Sequence, residues 1–161
     1  IRAVAQEHPG KNKPIPPFKG GDLQRPKLRI QKTDICKNRA PAIAAEIETA
    51  SGVDIERTAL RVRSPANAPN EWEMATMRSF IARRYAGEEW VAMSATRIEG
   101  RQLHWMRPIP LGGMCATCHG DPASFTQDTR LALREAYPDD QATGFKPGAL
   151  RVAFSARIEL R

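Results

Sequence analysis

The sequence predicts an α+β domain, an antiparallel sheet with helices packed beside it, on three observations. Residues 149–159 alternate, with Leu150, Val152, Phe154, Ala156 and Ile158 at every second position, the period of a half-buried strand. Residues 89–98 and 101–109 read as two further strands joined at Glu99-Gly100 as a hairpin. Between residues 70 and 85, Met74, Met77, Phe80, Ile81 and Tyr85 fall on one stripe, the period of a helix.

The elements follow in order. Residues 9–32 read as an extended arm, because Pro9, Pro14, Pro16, Pro17 and Pro26 alternate with lysines and with Gly10, Gly20 and Gly21, and no period survives. Residues 34–51 read as a helix capped by Thr33 or Asp34 and stopped by Gly52, with Pro41 kinking or dividing it. Residues 58–63 alternate like a strand, and 64–69 form a loop. Asn70 followed by Glu73 is a capping-box start, and Gly87 ends that helix. Residues 129–136 form a short helix ahead of Pro138. Two units result, an arm over 1–32 and a domain over 33–161.

Composition narrows the class. With 41% hydrophobic and 27% charged residues the chain has the balance of a globular protein. No stretch approaches the ~18 uncharged apolar residues that would span a bilayer. The net charge of +7 suggests nucleic acid until it is located. Residues 1–32 carry eight basic side chains against Glu7 and Asp22, so the arm holds +6 and the domain is nearly neutral. That charge distribution predicts a docking arm for an acidic protein partner or an anionic membrane face, and no nucleic-acid partner. The chain begins at Ile1 rather than Met, as exported proteins do after a leader is removed.

Chemistry is concentrated in Cys115-Ala-Thr-Cys118-His119, the attachment pattern of a c-type haem. Two thiols three positions apart can each add to one porphyrin vinyl group, which carries the next residue beneath the ring, where its imidazole can bond the iron. A zinc site would need two more ligands, and Cys36, His8 and His104 show no second paired spacing. A thioredoxin-type pair expects a βαβ setting that is missing here. The expectation is one covalent haem c. Covalent attachment joins reduced thiols to haem outside the cytoplasm, so the implied compartment is the periplasm.

The second axial ligand is less determined. Beyond His119 the chain has no Met, His or Cys, which excludes the small all-helical cytochrome with a distal Met downstream. The upstream candidates are His8, Cys36, Met74, Met77, Met93, His104, Met106 and Met114. Met74 and Met77 sit on an apolar helix stripe where Met is usually core, and an unpaired Cys36 is often a small buried apolar residue.

From about Cys36 to Ile158 the sequence resembles the PAS-like haem c domains, a family first catalogued as a domain of unknown function. The matching stretches begin with Cys36-Lys-Asn-Arg-Ala-Pro41-Ala-Ile-Ala and Arg57-Thr-Ala-Leu-Arg-Val-Arg-Ser-Pro-Ala-Asn67-Ala-Pro-Asn-Glu-Trp72-Glu. Arg107-Pro-Ile-Pro, Cys115-Ala-Thr-Cys-His-Gly120-Asp-Pro and Tyr137-Pro-Asp also match. Ser64 stands where the family usually has Asn, and the arm lies outside the resemblance. The resemblance implies a PAS-like fold and a cysteine of the first helix opposite the motif histidine, which places Cys36 and His119 on the iron.

A thiolate stabilises ferric iron, whereas a Met ligand raises the potential, so a His119/Cys36 haem is expected to be low-potential. On reduction the sulfur is expected to let go and open a site for CO or NO. That is the chemistry of redox or diatomic-gas sensing. The alternative is an electron-transfer subunit of a larger periplasmic or membrane-associated complex. No enzyme activity is expected.

Overall fold

A computed structural model describes residues 35–160, with side chains from Lys37 onward. The arm, Thr33, Asp34 and His8 lie outside the described residues. Among the described residues one sheet forms from β1 (Asp54–Thr58), β2 (Ala95–Glu99), β3 (Gln102–Pro110) and β4 (Leu150–Glu159). Its order is β1-β4-β3-β2, and every neighbouring pair is antiparallel. The helices are α1 (Ala40–Ser51), α2 (Glu71–Tyr85), α3 (Gly113–His119) and α4 (Gln127–Ala136). The α+β class expected from the sequence is the class observed.

The first helix is divided near its proline. A π-helical turn, Ile35–Arg39, precedes α1, which places Pro41 in the first turn, where its missing N–H costs nothing. Gly52 ends α1 in the left-handed region at φ 72°, which glycine adopts without strain. The capping box of α2 is complete: Glu73 N–H donates to the Asn70 side chain at 2.9 Å, and Asn70 N–H donates to Glu73 Oε2 at 3.0 Å. A cap of this kind contributes about 1 kcal/mol.

The core lies between α2 and one face of the sheet. Met77, Phe80, Met93, Met106 and Ala153 are buried together, with Trp72, Trp90 and Leu150 packed around them. Truncating Phe80 to Ala there would cost about 3–5 kcal/mol. The buried side of α2 differs from the expected stripe. Glu73 and Thr76 turn inward while Tyr85 is 89% exposed, so the helix rotates away from its apolar pattern at its end. Glu73 is tolerated inside because its Oε2 also accepts from Thr58 Oγ1 at 3.2 Å.

Two strands are displaced from their sequence positions. The expected strand over 58–63 is β1, which ends at Thr58 instead of starting there. Its register is set by β4, where Asp54 faces Arg157 and binds it at 2.8 Å. Past Thr58 the chain bends, with Ala59 N–H donating to Asn67 O at 3.0 Å. The expected start of β2 at residue 89 is a 3-10 turn, Trp90–Ala92, and pairing begins at Ala95. Gly100, at φ 59°, makes the β2–β3 hairpin as expected.

Candidate functional site

The cysteine motif lies on α3, at the end of β3. The chain enters it through Leu111, whose N–H donates to Ala149 O at 2.8 Å and whose carbonyl accepts from Gly148 N–H at 3.0 Å. These bonds pin the start of α3 to the start of β4. The three-residue spacing puts Cys115 and Cys118 on one face of the helix. Cys115 is exposed, Cys118 is half-buried, and both are free thiols. Gly120 closes the helix with its N–H on Ala116 O at 2.8 Å. A Cβ at Gly120 would stand 2.6 Å from that same carbonyl, so the exit of the motif admits only glycine. The loop after α4 then clamps it: Phe145 N–H donates to His119 O at 3.0 Å and Gly144 N–H to Gly120 O at 2.6 Å.

The His119 ring is held from the same loop. Its Nδ1 lies 2.6 Å from the carbonyl of Ala142, and Arg151 Nε lies 3.0 Å from the same nitrogen. The two contacts require opposite tautomers. A ligating Nε2 must be unprotonated, which leaves the proton on Nδ1 to be donated to Ala142 O. The imidazole is also kept neutral. Its pKa is lowered to about 4, first by burial and then by the positive charges of Arg151 and Arg63. A neutral ring with an anchored Nδ1 is the form in which histidine binds a metal.

Three arginines brace this loop. Arg63 forms a largely buried ion pair with Asp140 at 2.8 Å, both side chains about one-tenth exposed. The same guanidinium donates to Cys118 O at 2.5 Å. Asp140 Oδ1 accepts from Ala142 N–H at 2.8 Å, and Arg63 Nη2 lies 3.4 Å from the Ala142 carbonyl that faces His119. Arg61 donates to Gln141 O at 2.9 Å and to Thr143 O, and stacks over the Phe145 ring at 4.5 Å. Arg151 has its pKa lowered to about 10, by burial and then by Arg63, and stays charged. None of Arg61, Arg63, Asp140 or Arg151 stands out in the sequence as a site residue. Arg61 and Arg63 alternate like the outer face of a strand, and only their place in the Arg57–Trp72 stretch singles them out.

The remaining candidate ligands separate by burial. Met77, Met93 and Met106 are fully buried within the core between α2 and the sheet. Met74 is half-buried on α2, and Met114 is 77% exposed directly ahead of Cys115. His104 packs edge-on against Trp72, ring centres 5.7 Å apart. Cys36 belongs to the π-helical turn before α1. Its neighbour Lys37 sets Nζ 5.8 Å from the centre of the Tyr137 ring, and Arg63 meets that ring at 5.7 Å. Among the described residues no three His, Cys, Asp or Glu side chains form a metal cluster.

Comparison with known proteins agrees with this architecture. No curated protein matches the chain. A solved structure, that of the cyanobacterial haem protein Tll0287, aligns at a TM-score of 0.62 with 26% sequence identity, covering 74% of this chain and 70% of that one. The model of the Tll0287-like family matches residues 3–159, so the likeness extends into the arm as well as the domain. The chain belongs to the Tll0287-like family.

Proposed function

We propose that this chain is a monohaem c-type cytochrome of the periplasm that acts in redox or diatomic-gas sensing. The observation that carries the reading is the pairing, on α3, of two free thiols three residues apart with a neutral, anchored His119. That donor set fits a haem. Cys115 and Cys118 would hold it through thioethers, and His119 Nε2 and the Cys36 sulfur would ligate its iron. The solved relative is itself described as a haem protein.

The haem would supply a one-electron ferric/ferrous couple and a binding position for CO or NO. The chain's own residues set how it responds. Ala142 holds the ring of His119 by its Nδ1 proton. A Cys36 thiolate on the iron would donate charge and favour the ferric state. Were that sulfur to be protonated and released when the bound iron is reduced, the turn Ile35–Arg39 would be freed to move with α1 behind it. The basic residues 1–32 would dock the protein on an acidic partner or anionic membrane face. Their removal should weaken binding to anionic vesicles most at low salt.

Acid–acetone extraction of denatured protein tests the central claim. Haem should remain on the wild-type chain and be lost from the Cys115→Ser, Cys118→Ser double variant. Zinc at one atom per chain, in place of iron, would defeat the reading.

A further inference from the structure

The geometry points to Arg151 as a positioning residue that sets how strongly His119 donates to a bound metal. His119 Nδ1 stands between one acceptor, Ala142 O at 2.6 Å, and one donor, Arg151 Nε at 3.0 Å. Only one of these can be a hydrogen bond at a time. With Arg151 donating, the ring proton sits on Nε2 and that nitrogen has no lone pair for iron. With Nδ1–H donating to Ala142, Nε2 is free to ligate.

Arg151 cannot easily withdraw once the second arrangement is adopted. Its Nη1 donates to the carbonyl of Arg61 at 3.3 Å, and its guanidinium lies 5.3 Å from the centre of the Phe145 ring. The nearby carboxylate, Asp140, is already bound to Arg63 at 2.8 Å. A cation therefore stays beside Nδ1 while the ring is held by Ala142. The two neighbours act in opposite directions. The carbonyl draws on the Nδ1 proton and makes the imidazole a stronger donor, as carboxylates and carbonyls behind metal-bound histidines do. The guanidinium repels positive charge on the ring and limits that donation. Arg151 thus offsets Ala142 and holds the iron less strongly in the ferric form than the carbonyl alone would.

The inference rests on His119 being the iron ligand. The test uses the haem-loaded protein and compares wild type with Arg151→Gln, Arg151→Met, Arg151→Lys and the remote Arg101→Gln. The glutamine variant should load haem and shift its reduction equilibrium at least tenfold toward ferric, about 59 mV lower for one electron. The methionine variant keeps length and packing on Phe145 without charge, and should shift the same way if glutamine fails to load. Lysine should restore most of the wild-type equilibrium, and Arg101→Gln should stay within twofold. The Nδ1–H resonance of His119 should move in the neutral variants. A wild-type equilibrium in both neutral variants, or an equal shift in Arg101→Gln, would overturn the role of Arg151. A wild-type protein lacking His119 ligation altogether would instead remove the haem assignment on which it rests.

Discussion

Arg63 and Asp140, drawn from opposite halves of the chain, meet at 2.8 Å with both side chains about one-tenth exposed. Their pairing joins three segments. Arg63 follows β1 and donates to Cys118 O at the end of the motif helix, and Asp140 accepts from Ala142 N–H in the loop that faces His119. The Arg63 guanidinium also lies 3.4 Å from Ala142 O, so one ion pair ties the residue behind the histidine to the helix that carries it. A charge pair this enclosed is costly to desolvate, and its value lies in the hydrogen bonds that complete it.

Removing one partner should therefore cost far more than removing both. Asp140→Ala leaves the Arg63 guanidinium buried without its carboxylate, and should destabilise the protein by on the order of 3 kcal/mol. The double variant Arg63→Met, Asp140→Leu should recover a large part of that loss in urea unfolding. Equal and additive losses would mean that the pair does not act as a unit.

Gly120→Ala tests the exit of the motif. Its Cβ would be 2.6 Å from Ala116 O, a backbone atom of α3 that cannot move without disturbing the helix. The expected cost is about 1–3 kcal/mol. Covalent haem yield should fall with it, because Gly120 also accepts the Gly144 N–H that clamps the loop at 2.6 Å. Normal stability and haem content in this variant would show that α3 can end another way.

Local signals were legible in the sequence, and long-range ones were not. The capping box of α2 depends on Asn70 and Glu73 alone, three residues apart, and it stands where the sequence puts it. The same holds for Gly52 and Gly100, whose positive φ values end a helix and turn a hairpin. The cysteine motif is equally local, and its residues fall on one helix, α3. By contrast, β1 is defined by pairing with a strand about a hundred residues away, and the Asp54–Arg157 contact settles its register. Arg61 and Arg63 show a strand period but spend their donors on carbonyls of the 141–143 loop and of the motif helix. Ala142 carries no signal at all, because what it contributes is a backbone carbonyl.

Glu56 predicts a small pH effect. Burial, foremost, raises its pKa above 4.5, with Glu73 and Asp54 adding and Arg157 opposing. A raised carboxyl stabilises the fold fully below its unfolded value, and that contribution is lost as pH rises through the folded value. At pH 7 the charged Glu56 is therefore a net cost. Glu56→Gln should raise the melting temperature at pH 7, by no more than about 0.5 kcal/mol in stability, with little change at pH 4. The Arg157–Asp54 bond at 2.8 Å remains in either case. A lower melting temperature at pH 7 would show that the 3.3 Å contact of Glu56 with Arg157 outweighs burial.

The last prediction concerns Cys36, which separates a thiolate-ligated haem from an ordinary cytochrome. Burial weighs against most of its competitors. Met77, Met93 and Met106 are fully enclosed with Phe80 and would have to leave the core to reach any bound group. Met114 directly precedes Cys115 on the same helix as His119, and its side chain is 77% exposed. The turn carrying Cys36 is linked to the motif helix, since its Lys37 and Arg63 meet the same Tyr137 ring and Arg63 also binds Cys118 O. Cys36→Ala should abolish the low-spin ferric spectrum characteristic of sulfur ligation, raise the midpoint potential and let CO bind the ferrous form more readily. His104→Ala and Met106→Leu should leave spectrum and potential nearly unchanged, although the second will lose some stability from the core. If Cys36→Ala keeps the wild-type spectrum while His104→Ala or Met106→Leu alters it, the thiolate is not the ligand. The release of the Ile35–Arg39 turn on reduction would then have no cause, and an electron-transfer subunit would account better for the same haem site.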